Sequence, residues 1–375
     1  MRLMCATVFC CFSFLFLYCF QADVIFALQH VMSGGRTYYA PLFGSVLITL
    51  VLQLLQLVVY LFSRLKGRSH ALTYFPSMLM LALLTDVNID GAGHTSHGGW
   101  WWGLPLALAF WLLIVYVARK LSYIEPGREP AGLLSRLMWV NMLLMALQII
   151  IAVSCSNTHA VFHYRMRAEM ALLKGDYARA LSQGKESLES DASLQMIRMY
   201  ALARCGQLPE KLFSYPVAGN SSAMLPVEGR TAFVFYPADS LYRFLGARPR
   251  YKMTVERYLQ QLQRRDSVEN RRATDYQLCG LLIDRRLDDF ASLLRQRYAK
   301  SDTLDALDLP RHYREAMTLY THLRANPVAT YRNSVMEEDW QNLQELEASY
   351  PDPVERKGKV EESYRDTYWY YYEYE

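Results

Sequence analysis

The chain has 375 residues, 40 Lys plus Arg against 36 Asp plus Glu, and 52% hydrophobic residues. Those averages conceal a partition: residues 1–155 hold nine basic and five acidic side chains, whereas residues 156–375 hold 31 of each. A charge-balanced second half excludes nucleic-acid binding driven by net charge, and its scattered cysteines exclude a disulfide framework.

The first half reads as membrane. Leu3–Phe20 is an apolar run behind Arg2 alone, with no small-x-small cleavage site after it, so an uncleaved span is expected. Its Cys5, Cys10, Cys11 and Cys19 read as small lipid-compatible residues. Leu42–Phe62 runs 21 residues without a charge, close to the ~20 that ~30 Å of hydrocarbon demands of a helix. Ala71–Thr85 is shorter and carries Pro76. Trp100–Ala118 follows. Leu137–Cys155, LMWVNMLLMALQIIIAVSC, is the last apolar run before the chain turns polar.

Loop charge decides the count. Arg64, Lys66 and Arg68 fill one loop; Arg119, Lys120, Arg128 and Arg136 fill another; loops 21–41 and 86–99 hold only Arg36. Cytoplasmic loops are the Lys/Arg-rich ones. Both basic loops therefore belong on one side, and the short third segment must cross. The expectation is a bacterial inner-membrane bundle of five spans, near 3–20, 42–62, 71–87, 100–118 and 137–155. The N-terminus is then cytoplasmic and residues 156–375 periplasmic. Trp100, Trp101 and Trp102, with Tyr38 and Tyr39, fall at the outer interface, where such rings are enriched. Gln53, Gln56, Asn141 and Gln148 lie inside spans and are expected to bond between helices. With no Asp, Glu, Lys or Arg in mid-span, an ion or proton path has little support.

Two outer loops carry reactive side chains. In the first, Asp23 is the candidate catalytic base for a glycosyl-transfer enzyme, set against its ordinary reading as a solvated helix end. In the second, His94 and His97, with Asp86 and Asp90, are candidate ligands for a zinc-like ion. The surrounding glycines leave that geometry unfixed. His159 and His163, four apart, lack a third ligand and read as interface residues. No cofactor motif is present.

The second half is patterned for helices. Residues 160–189 read as a pair, VFHYRMRAEMALL and ARALSQGKESLES, turning at Gly175 with Asp176 as cap. Leu194–Phe213 repeats the idea, with Gly206 thirty-one residues after Gly175. Residues 214–252 break the pattern and read as an irregular insertion, a connector in preference to a ligand-facing element. DYQLCGLLIDRR and LDDFASLLRQRYAK form a third pair. Helices over 309–325 and 337–350 follow, and Val360, Tyr364, Tyr368 and Tyr371 or Tyr372 fit one stripe of a capping helix. Cys205 and Cys279 each precede a glycine and are expected as free, buried thiols.

GDYARAL resembles the turn and second-helix start of a tetratricopeptide repeat, whose units recur near ~34 residues. LPRHYREAMTLY and the stretch from NPVATYRNSV to WYYYEYE resemble the C-terminal region of uncharacterised multi-pass membrane proteins of Bacteroides-type bacteria. The first outer loop, with its Gly-Gly and following aromatics, is similar too. The resemblance implies location and architecture and no activity.

The reading is an all-α protein: a transmembrane domain over 1–155 and an extracytoplasmic tetratricopeptide-like domain over 156–375. Its expected role is display of a periplasmic helical-repeat domain for a protein or envelope-polymer partner, without nucleic acid, cofactor or metal. The alternative is a membrane glycosyl- or polymer-transfer enzyme whose repeat domain steers substrate.

Overall fold

The computed structural model describes residues 2–89, 95–96, 99–124, 135–265, 270–298 and 309–375. It is helical, apart from an antiparallel pair of two-residue strands, β1 (Asn88–Ile89) and β2 (Thr95–Ser96). The chain divides into two compact units, Met1–Met166 and Arg167–Glu375.

The first unit contains α1 (Arg2–Leu15), α2 (Ala22–Met32), α3 (Pro41–Ser63), α4 (Phe75–Thr85), α5 (Trp100–Ile124) and α6 (Arg136–Ser154). A π-helical turn, Phe16–Phe20, prolongs α1. Four segments are long and apolar enough to cross a membrane: Arg2–Phe20, Pro41–Ser63, Trp100–Lys120 and Arg136–Ser154. Their burial is inverted relative to a water-soluble bundle. Leu47, Leu54 and Leu61 on α3, and Leu143, Leu147 and Ile150 on α6, are exposed, while Ser45, Gln56, Asn141 and Gln148 are buried. Lipid selects that pattern, because apolar side chains face the tails and polar ones must find partners inside.

The short third segment departs from a plain helix. Its first half is a 3₁₀-helix, Gly67–Tyr74, which runs into α4. The 3₁₀ rise is steeper than the α rise, so the composite segment reaches ~32 Å, a full hydrocarbon thickness. Loosened backbone at membrane depth needs protein partners. Asn141 supplies two: its Oδ1 accepts from Ala71 N–H at 2.8 Å, and its Nδ2 donates to Gly67 O at 3.0 Å. Gln148 Nε2 donates to Ala71 O at 3.0 Å, and Trp111 Nε1 to Leu72 O at 2.9 Å. Gln56 Nε2 donates to Thr73 Oγ1 at 2.9 Å. The in-span amides thus bond between segments, as their chemistry requires.

The ends of this unit differ in charge. Arg119 donates to Ser63 O and Phe62 O, at 2.7 and 2.6 Å. The Arg2 guanidinium lies 4.7 Å from the Tyr60 ring centre, and Gly67 packs near Leu137. The starts of α1, the third segment and α6 therefore lie with the ends of α3 and α5, gathering Arg2, Arg64, Lys66, Arg68, Arg119, Lys120 and Arg136 at one end. At the other end, Thr85 Oγ1 meets Ser156 Oγ at 2.7 Å, and Asn157 Nδ2 donates to Val87 O at 2.9 Å.

The second unit begins within α7 (Ala160–Leu173) and continues with α8 (Tyr177–Ser182), α9 (Ala192–Arg204), α10 (Leu208–Lys211), α11 (Ala238–Leu245) and α12 (Val255–Arg265). Then come α13 (Arg271–Ile283), α14 (Leu287–Tyr298), α15 (Arg311–Leu323), α16 (Ser334–Ser349), α17 (Pro353–Tyr364) and α18 (Tyr368–Tyr374). Helices α9, α13 and α15 carry most of the core, including Leu194, Ile197, Tyr200, Leu278, Leu282, Tyr313 and Met317.

One turn recurs three times. Gly175, Gly206 and Arg285 have φ of 72°, 70° and 56°. Each donates its N–H three residues back, and the following residue donates five back: Asp176 to Ala171 O, Gln207 to Leu202 O, Arg286 to Leu281 O. This is the Schellman closure, which satisfies carbonyls left open at a helix end. The second helices of the first two pairs are shorter than the sequence pattern suggests. Helix α8 stops at Ser182 instead of reaching residue 189, because Gly184 turns left-handed (φ 61°) and Arg198 Nη2 takes the carbonyls of Gln183 and Gly184. Helix α12 was not anticipated, although Val255, Tyr258, Leu259 and Leu262 form a buried helical stripe.

The C-terminal stripe is two helices, not one. The chain bends at Arg365–Thr367, and Thr367 caps α18 by accepting from Tyr370 N–H. Only the second helix carries the aromatic load: Tyr368, Trp369, Tyr370 and Tyr371 are buried and Tyr364 is half-buried.

Candidate functional site

The candidate base Asp23 sits in the first turn of α2 and is buried. His163 Nδ1 lies 2.9 Å from its Oδ2, and Val24 N–H donates to Oδ1 at 3.0 Å. The other ring nitrogen, Nε2, faces Asn157 O at 3.1 Å. Asn157 O can only accept, so Nε2 is a donor, and Nδ1 is hydrogen-bonded to the Asp23 carboxyl. The arrangement ties α2 to the start of α7. His163, read from sequence only as an interface residue, is the partner that local spacing could not reveal. Asp86 accepts from Trp100 Nε1 at 2.6 Å. His94 and His97, with Asp90, lie outside the described residues. Among the described residues no group of three or more His, Cys, Asp or Glu side chains is placed to hold a metal ion.

The cysteine expectation holds for one position and fails for the other. Cys279, in mid-α13, is buried and 3.8 Å from Tyr313 OH. Burial first, and Asp275 second, push its thiol well above the ordinary value, so it is neither thiolate nor accessible. Cys205 is exposed. Its glycine ends the helix, leaving Cys205 at the C-cap, whereas Gly280 lies inside α13 beside Met224 and Ser221.

The strongest constellation in the second unit was not anticipated as a site. A cleft of about 840 Å³ opens between the end of α7, the start of α8, the end of α9, α11 and the start of α13. Arg204, Arg243 and Arg272 line it with Tyr177, Tyr236 and Phe244, and no carboxylate does. The Arg204 guanidinium is 4.8 Å from the Tyr177 ring centre and 5.3 Å from that of Phe244. Arg272 is 4.5 Å from the Phe244 ring centre and donates to Phe244 O at 3.0 Å. Arg204 Nη1 also donates to Tyr200 OH at 3.1 Å, which meets Tyr236 OH at 3.0 Å. Burial pushes the Tyr200 hydroxyl well above its ordinary pKa, so it stays neutral. Rings hold guanidinium groups by their faces and leave N–H edges for an anion.

The supposed connector builds half of this cleft. Outside α11, residues 214–252 lack a ladder for their N–H groups, and side chains of α7, α9 and the end of α13 accept from several of them. Glu169 Oε2 accepts from Val234, Phe235 and Tyr236 N–H at 2.8, 3.0 and 3.3 Å. Gln195 Oε1 accepts from Ala218 N–H at 2.8 Å, and Asp284 from Ser221 N–H and Oγ–H at 2.9 and 2.5 Å. Met224, Leu225, Phe235, Leu241 and Leu245 complete the packing. The turn-forming composition of the segment reported its lack of repetitive structure and concealed its burial.

The arrangement is suited to binding. Its charged groups are guanidinium ions, which stay protonated and transfer no proton. Residues 250–375 match the model of a family of unknown function, DUF6057. Arg272 lies within that match, and Arg204, Arg243 and Phe244 lie before it. No curated protein and no solved structure matches the chain.

Proposed function

We propose that this is a bacterial inner-membrane protein displaying a periplasmic, tetratricopeptide-like helical domain that binds a protein or envelope-polymer partner. The observation that carries the reading is the cleft around Arg204, Arg243 and Arg272. Three other arginines of the unit are matched with acids: Arg286 with Asp289 and Glu256, Arg311 with Glu315 and Asp366, Arg324 with Asp288. The thrice-repeated turn supports the likeness to helical repeats, whose stacked pairs create binding surfaces. The resemblance to multi-pass proteins of Bacteroides-type bacteria supports the location, and the clustering of basic residues at one end of the first unit supports the orientation.

The orientation has its own expected outcome. A reporter active only outside the cytoplasm works when fused after Asn88 or Glu375 and is silent after Gly67 or Glu125. Silence after Glu375 removes the periplasmic placement.

The binding role is tested in intact cells. A photo-crosslinking residue at Arg243 is expected to give a discrete adduct, and one at Glu345 on α16 none. Equal products at both positions, or none, count against the cleft as the binding surface. The enzyme alternative takes over if Asp23→Asn abolishes a cellular phenotype while protein level and topology stay normal.

A further inference from the structure

We infer that the cleft of the second unit recognises an acidic peptide segment in which a carboxylate neighbours an aromatic or large apolar side chain. This deepens the binding role proposed above and rests on it.

Three observations set the ligand chemistry. The first is charge. Among the described residues no carboxylate pairs with Arg204, Arg243 or Arg272, and two of these guanidinium groups lie within 5.3 Å of the single Phe244 ring centre. Like charges that line one cleft repel, and an anion bound there relieves the repulsion. The second is donor type. Several backbone N–H groups beside the cleft are already used: those of Val234, Phe235 and Tyr236 by Glu169, and that of Gly175 by Leu172 O. A site for a lone phosphate is characteristically built from such amides. Here the donors are side-chain forks spread along an open cleft, which suits carboxylates displayed along a chain. The third is the lining between the arginines. Leu172, Leu173, Pro237 and the rings of Tyr177 and Tyr236 offer apolar surface to a neighbouring side chain. An ordinary polyanion would leave that surface wet.

The test uses the full chain in detergent or nanodiscs and a fluorescent random copolymer of glutamate and tyrosine. Labelled polyglutamate, alginate oligosaccharide and polyphosphate are the comparison probes. The copolymer is expected to bind more tightly than all three and to weaken as salt rises. Arg204→Ala with Arg272→Ala is expected to weaken it at least tenfold, the scale of losing charge-assisted hydrogen bonds. Both arginines also pack on rings, so the exposed Arg243→Glu is the folding-independent variant, with a tenfold loss expected as well. Arg257→Ala with Arg264→Ala, on α12, serves as the control and is expected to leave binding unchanged.

Equal copolymer binding by wild type and Arg243→Glu overturns the site. Tighter binding of alginate or polyphosphate than of the copolymer overturns the peptide assignment in favour of that polymer. If no probe binds while Arg243 still crosslinks a partner in cells, the ligand class falls and the binding role stands. If crosslinking fails too, both fall.

Discussion

Replacing Glu315 by alanine is expected to detach the C-terminal helix α18 and to cost the second unit about 3–5 kcal/mol, the range for stripping a buried charged pair of one member. Glu315 is 2% exposed. Its Oε2 accepts from Tyr368 N–H at 2.7 Å and from His312 Nδ1 at 2.8 Å, and its Oε1 from Arg311 at 2.8 Å. His312 Nε2 in turn accepts from Phe213 N–H at 3.3 Å, which assigns its proton to Nδ1 and makes it a donor to Glu315. One carboxylate therefore joins α15, the turn after α10 and the start of α18. Alanine leaves Tyr368 N–H and the imidazole N–H buried without that acceptor, each worth about 1–3 kcal/mol. Glutamine keeps an acceptor and is expected to lose about half as much. Hydrogen exchange over 368–374 and tryptic cleavage after the exposed Arg365 read the detachment directly. Unchanged exchange there together with unchanged unfolding would show that α18 is held by its aromatic packing alone.

The second large effect is expected at Glu169. Its fully buried carboxylate is the shared acceptor for three consecutive N–H groups of the insertion. Glu169→Ala leaves those donors to find water in a closed site, at a cost of about 3 kcal/mol. For a unit of this size that is a fall of about 6–12 °C in melting temperature. Glu169→Gln preserves one acceptor oxygen and should fall less. The loss extends to the cleft, because Tyr236 is positioned by this bond and lines it. Faster hydrogen exchange confined to residues 232–238, together with weaker copolymer binding, is the expected signature. A melting temperature within a degree of wild type for Glu169→Ala would assign the insertion's stability to Met224, Leu225 and Leu241 instead.

Much of the local structure was legible in sequence because it depends on near neighbours. Hydrocarbon thickness fixes helix length, so 42–62, 100–118 and 137–155 correspond to observed helices within a few residues. Glycine tolerates positive φ, so Gly175 and Gly206 mark turns. Arg285 makes the same turn without glycine, and nothing local announces it. Its guanidinium is 5.0 Å from the Tyr371 ring centre and donates to Tyr371 O at 3.0 Å, a partner 86 residues away.

Hydropathy, propensity and charge act over a few residues, so the apolar segments, the concentration of helix and the basic loops are readable without the fold. The remaining features depend on the packing of distant segments. That packing made the short third segment a 3₁₀–α composite, because Asn141 and Gln148 come from a distant helix to satisfy its backbone. It paired Asp23 with His163, 140 residues on. It packed the glycine- and proline-rich insertion by lending it Glu169, Gln195 and Asp284. It gathered Arg204, Arg243 and Arg272 around Phe244, although the half that contains them is charge-neutral overall. Net charge is a sum and insensitive to position, whereas a binding cleft depends on which charges the fold leaves without an opposite charge.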